Sequence, residues 1–153
     1  MHVPDSLAAM PRFLEEAVAS ADARALARRG PGGTFSLTEQ ACHLRDLERE
    51  GYLVRVRRIL AEDSPVLEGF DGDAVARERD YPAQDAKRAA REFAAARCEL
   101  LALLASLEAP QATRTALFDG RTITLAGLVA MIEEHDRGHR EEIAALAAIP
   151  AGA

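Results

Sequence analysis

Apolar positions recur along the chain at intervals of three and four residues, the spacing that lines one face of a helix. The first such run extends from about Asp5 to Ser20, with Leu7, Met10, Leu14, Ala17 and Ala21 on one side. Pro11 makes its early turns doubtful, because proline lacks an N–H and restrains the residue before it. A short helical turn around Asp22 to Arg28 precedes Gly30-Pro31-Gly32-Gly33, a strong breaker. Ser36 then caps a second helix, with Glu39 three residues on completing a capping box. The helix should run to about Ala61 and stop at Ser64-Pro65.

Residues 63–82 read as a connection in which Asp71 or Asp73 could cap a short helix reaching Arg79. A third long helix follows Pro82, with Ala86, Ala89, Phe93, Ala96, Leu100, Leu103 and Leu107 at helical spacing, and Pro110 closes it. Asp119-Gly120 is a tight-turn pair that predicts a miniature hairpin over Ala116 to Ile123. Thr122 or Thr124 caps a fourth helix to about Ile149, ahead of Pro150 and a small-residue tail. Four long amphipathic helices with modest connections predict an all-α fold, a four-helix bundle, with residues 1–153 as a single domain.

Composition agrees with this pattern. Of the 153 residues, 48% are hydrophobic but only 5% aromatic, with no Trp, so Leu, Ala, Ile and Val must build the core. The net charge of −6 argues against a nucleic-acid surface, which needs concentrated Lys and Arg. No apolar run approaches the roughly 18 residues of a membrane span. The first residues lack the cationic and apolar blocks of a signal peptide, and Cys42 and Cys98 form no CxxC pair or disulfide framework. A cytoplasmic protein is therefore expected, with neither nucleic acid nor membrane as partner.

The chemistry sits on the fourth helix. At about 100° per residue, Leu125, Leu128, Ile132, His139, Ile143 and Leu146 all fall within about 80° of His135, so both histidines lie in the apolar stripe. Imidazoles one turn apart, about 5–6 Å at Cβ, can reach one metal ion. The competing reading is two core histidines satisfied by hydrogen bonds or water, although no neighbouring stripe position offers a polar partner. His43, on the second helix, lies at the rim of a core face, with Leu47 and Val54 to one side and Glu39, Asp46, Glu50 and Arg57 to the other. Three imidazoles would leave a divalent ion with open positions, and Zn, Ni, Co and Fe all suit them.

Other signatures fit less well. Asp136 stands where a zinc-protease helix needs Glu, and no pair of Glu-x-x-His motifs marks a di-iron bundle. Asp136 is better placed to hold a neighbouring Arg, and Cys42 to pack. Glu39, Asp46 and Glu50 read as a solvated acidic edge, with a place beside the site as the alternative. Glu48 and Arg55, seven residues apart, share a helical face and could join one buried ionic network, or be an edge acid and a snorkelling Arg.

Phe35-Ser36-Leu37 opening a helix that carries His43-Leu44, Asp46 and Glu48, and Thr122-Ile123-Thr124-Leu125 opening another that carries His135-Asp136 and His139, together resemble the DinB-like superfamily. The likeness covers nearly the whole chain, including Pro65-Val66-Leu67 and Phe70-Asp71; Phe35 stands where relatives commonly have Trp. It implies a four-helix bundle with one divalent ion held by His43, His135 and His139. It also implies a metal-dependent transferase or isomerase that uses a low-molecular-weight thiol, as bacillithiol transferases and mycothiol-dependent maleylpyruvate isomerases do, acting on a small-molecule substrate. The alternative is a noncatalytic metal-binding or stress-response module. A homodimer is compatible with either.

Overall fold

The computed structural model describes residues 1–150 and 152, so most of the small-residue tail lies outside the described residues. Its long helices are α1 (Asp5–Ser20), the continuous rod formed by α3 (Leu37–Asp46), a π-helical segment (Leu47–Tyr52) and α4 (Leu53–Ala61), then α6 (Ala86–Ala105) and α7 (Leu125–Ala147). Two short helices, α2 (Ala23–Ala27) and α5 (Gly72–Glu78), sit in the connections. The result is a four-helix bundle in which α6 packs against both α3 and α1, and α7 lies against α1 and α3. No helix among the described residues is long and apolar enough to cross a membrane.

Side-chain caps start most of these helices where the sequence says they should. Asp22, Ser36, Asp71, Asp85 and Thr124 each accept a backbone N–H from the first turn, and Ser36 and Glu39 form the reciprocal capping box. Arg114 donates to the carbonyls of Ile59 and Glu62 at 2.7 and 2.8 Å, placing a cation at the C-terminal end of α4.

The hairpin forms as expected, from β2 (Thr115–Phe118) and β3 (Arg121–Thr124) around Asp119 (φ 51°) and Gly120 (φ 72°). Both positive φ values are those of the turn that matches strand twist. A short β1 (Val66–Leu67) adds to it in parallel with β2, which the periodicity did not announce.

Pro11 does not break α1. Its missing N–H leaves the Leu7 carbonyl without its helical donor, and the Arg97 guanidinium donates to that oxygen at 3.1 Å. This bond belongs to a polar belt that crosses the bundle and divides the core in two. Leu47, Leu53, Leu100, Leu104, Leu128 and Ile132 lie in one apolar cluster. Met10, Leu14, Leu44, Phe93 and Ile143 lie in the other. Between them run His43 and Glu48, Arg97, and His135, Asp136 and His139.

The π-helical segment changes which residues look at this belt. Leu53 N–H reaches back to Glu48 O, five residues away, so the helix carries the equivalent of one inserted residue. In an unbroken α-helix Tyr52 would lie about 180° from His43; removing one residue's turn of about 100° brings Tyr52 to about 80° and Arg55 to about 20°. The same rotation separates Glu48 from Arg55, which the regular period had placed on one face, and leaves Val54 exposed at 41%.

Candidate metal centre

Three imidazoles meet at the middle of the bundle. His43 comes from α3, and His135 and His139 come from successive turns of α7. His43 Nε2 is 3.4 Å from His135 Nε2, which is 2.9 Å from His139 Nε2. Nitrogens bound to one ion at about 2.1 Å stand about 3.4 Å apart at tetrahedral angles and about 3.0 Å apart at octahedral ones. The observed spacings match those values, and one ligand atom from each residue can serve a single ion.

Burial keeps these rings uncharged. The His43 pKa is pushed down to about 4 and that of His135 to about 2, chiefly by desolvation and then by the neighbouring imidazoles; His139 is lowered as well, by desolvation. At neutral pH all three are therefore neutral, the form that coordinates metal. His139 Nδ1 lies 2.5 Å from Gln40 Oε1, and the Gln40 amide donates to Glu142 at 2.5 Å. An acceptor on Nδ1 places the proton there and leaves the Nε2 lone pair facing the other two rings. Gln40, fully buried on α3, is the polar partner that a single-helix projection could not reveal.

Nearby side chains fix the rings in place. Phe35 meets His43 edge-on at 5.6 Å between centroids, Phe70 stands 6.1 Å away, and Tyr52 meets His135 at 5.8 Å. A Cβ on Gly72 would come within 2.8 Å of His43 Cε1 and 2.9 Å of Nδ1, so the start of α5 can lie against this imidazole only because residue 72 is glycine. The Nδ1 atoms of His43 and His135 are buried without a hydrogen-bond partner. The three Nε2 atoms crowd together with only one another as partners, and a divalent cation would satisfy the lone pairs they turn inward.

Behind the triad, Arg97 is fully buried and uses its whole guanidinium. It pairs with Glu48 through two bonds of 2.6 and 3.0 Å, with Asp136 through two of 2.5 and 3.1 Å, and with Leu7 O. Asp136 thus holds an Arg, as expected, and its neighbour His135 is anchored to the same belt. Glu48 pairs with Arg97 and not Arg55. Arg97 was legible as the one charged position, four after Phe93 and three before Leu100, in an otherwise apolar stripe.

Two of the three acids read as a solvated edge stand differently from expectation. Glu39 and Asp46 are 4% and 3% exposed, not a solvated edge. Glu39 serves the capping box and Arg29; Asp46 accepts from Tyr81, Arg45 and Arg79. Neither is among the residues grouped with the triad. Glu50 is exposed and paired with Arg79. Cys42 packs in the core beside Gln84, its thiol pushed up to about 11 by burial. His43, placed by sequence at a core rim, is 8% exposed.

Two clefts reach the imidazoles. One, of about 510 Å³, touches His43 and His139 and is polar, with Arg29, Asp71, Asp73 and Glu142 in its walls. The other, of about 610 Å³, touches His43 and His135 and is mainly apolar, lined by Leu47, Tyr52, Phe118 and Met131, with Arg55 among them. Phe70 borders both.

Residues 6–143 match the DinB superfamily. Among solved structures, the chain is similar to YfiT from Bacillus subtilis, described as a probable metal-dependent hydrolase with an unusual four-helix bundle topology. The superposition has a TM-score of 0.86 at 22% identity and covers 94% of this chain and 82% of that one. No curated protein sequence gives a significant match.

Proposed function

The chain belongs to the DinB superfamily, and from that premise we propose that it is a metal-dependent enzyme in which His43, His135 and His139 hold one divalent ion and a low-molecular-weight thiol is transferred or used as cofactor. The observation that carries this reading is the convergence of three neutral Nε2 atoms at ligand spacing, with clefts open on two sides. A purely structural ion would be enclosed by four protein ligands. Here three are supplied, and both clefts lead to them.

When bound, the ion would supply Lewis acidity that stabilises a thiolate at neutral pH. The protein's own part is positioning. Gln40 holds the His139 tautomer, Gly72 admits the His43 ring, and Arg97 ties α7 to the π-helical segment behind His135. Tyr52, a buried phenol whose pKa is raised by desolvation, stays protonated beside His135 and can donate a hydrogen bond in the apolar cleft. The apolar walls of that cleft suit the apolar body of an electrophile.

A second reading has support of its own. YfiT is described as a probable hydrolase, and the polar cleft presents Asp73 and Glu142 beside His43 and His139, where a carboxylate could act as base for water. The test is to load the purified chain with Zn²⁺, Ni²⁺ or Co²⁺ and offer bacillithiol, mycothiol or glutathione with an electrophile, alongside esters and amides without thiol. Metal-dependent consumption of thiol supports the transferase reading. Metal-dependent hydrolysis without thiol supports the second, and inactivity in both arms would mark the centre as noncatalytic.

A further inference from the structure

Among the described residues, Arg55 is a buried cation with no acid paired to it. It is 6% exposed, and its Nε and Nη2 both donate to the Glu68 carbonyl, at 3.2 and 3.0 Å. Its Nη1 has no hydrogen-bond partner among the described residues, and no carboxylate pairs with it there. The guanidinium lies between two aromatic rings, its Cζ 5.5 Å from the Tyr52 centroid and 4.7 Å from that of Phe118. The other buried Arg side chains both have acids: Arg97 pairs with Glu48 and Asp136, and Arg45 with Asp46 and Glu92. Retaining a charge in apolar surroundings without a counter-ion is costly, and one carbonyl offsets it only in part.

The placement of this cation gives the imbalance a direction. Arg55 lines the same apolar cleft as His43 and His135, and Tyr52 stands between, in ring contact with His135 and under the guanidinium. The π-helical segment is what turns both Tyr52 and Arg55 to this side. Glu134, the one acid in the cleft wall, is exposed and paired with Arg137. We propose that the ligand of this cleft is a small apolar molecule bearing a carboxylate, which Arg55 Nη1 receives while the molecule's body reaches the imidazoles.

A carboxylate suits the site better than a phosphate. Arg55 is the only cation among the cleft's lining residues, one guanidinium to match one negative charge. The walls of Leu47, Phe118 and Met131 favour an apolar body. The Tyr52 hydroxyl, also without a hydrogen-bond partner among the described residues, could hold a second polar atom of the same molecule.

This inference deepens the proposed function, and it rests on the triad being the reactive centre; its test does not need the metal. Binding of 3-phenylpropionate and its neutral isostere 3-phenylpropanamide is measured by calorimetry on the full chain, as purified and after chelation. The carboxylate should bind about tenfold tighter than the amide in both forms, a charge-assisted hydrogen bond's worth of preference. In Arg55→Gln the preference should fall to about twofold or less, as expected for loss of that bond. Ala130→Trp, at an exposed position on the cleft wall, should weaken both ligands by about fivefold or more through steric exclusion. If Arg55→Gln does not fold, the wild-type comparison and Ala130→Trp still decide. Equal binding of the two compounds, or a preference that survives in Arg55→Gln, would overturn the inference. Carboxylate preference without metal binding would instead sink the metal reading alone.

Discussion

Removing the Arg97 side chain tests whether the polar belt holds the centre together. In Arg97→Met, Glu48 and Asp136 lose their shared counter-ion in a region where both are nearly inaccessible, at 1% and 2% exposed. Breaking a buried ion pair by deleting one partner costs about 3–5 kcal/mol. The Leu7 carbonyl, already without a helical donor because of Pro11, also loses its Arg97 bond, for about 1 kcal/mol more. The total is a large share of the 5–15 kcal/mol typical of a domain. Pro11→Ala provides the internal control, since it restores an N–H to Leu7 O. It should stabilise the Arg97→Met protein by about 1 kcal/mol more than it stabilises the wild type. Urea unfolding followed by circular dichroism, with unchanged m, measures all four corners of this cycle. A loss below about 1 kcal/mol in Arg97→Met, or no coupling to residue 11, would refute the belt's assigned role.

The remaining expectations concern the imidazoles. Their folded pKa values lie below the unfolded one, so the metal-free protein is most stable above about pH 6.5 and loses that contribution as pH falls toward 4 for His43 and 2 for His135. Between pH 7 and 5 the loss should be roughly 2 kcal/mol for each of these two rings. Urea midpoints across that range check it, and flat stability would contradict it. Gly72→Ala should raise local helix propensity by up to about 1 kcal/mol yet weaken metal binding, because the added Cβ displaces His43; competition with a chromogenic chelator reads this directly. Gln40→Leu should lower metal affinity by about 10–100-fold by releasing the His139 tautomer, with little change in the rest of the bundle. Equal affinity in that variant would show that Gln40 does not hold the ring.

Much of the bundle was legible because caps and stripes are local. Ser36 with Glu39 and Asp119-Gly120 state their roles within a few residues, the cap of α7 was narrowed to Thr122 or Thr124, and the proximity of His135 and His139 follows from one turn of helix. What escaped depends on long-range packing or on a single irregularity. The π-helical segment leaves no mark in an apolar period, yet it decides that Arg55 faces the cleft and Glu48 faces Arg97. Gln40 and Gly72 act on the imidazoles from other elements, and projection of one helix cannot show them. Pro11 looked like a fault because its compensating donor, Arg97, lies 86 positions further along the chain.

Everything proposed for the site depends on His43, His135 and His139 sharing one divalent ion. The most direct test is metal content by mass spectrometry, after purification without an affinity tag, of the wild type and of His43→Ala, His135→Ala and His139→Ala. The wild type should hold about one ion per chain, in keeping with a three-imidazole site, and every variant should lose most of it. Substoichiometric metal throughout, with stability unchanged by the substitutions, would contradict the shared site.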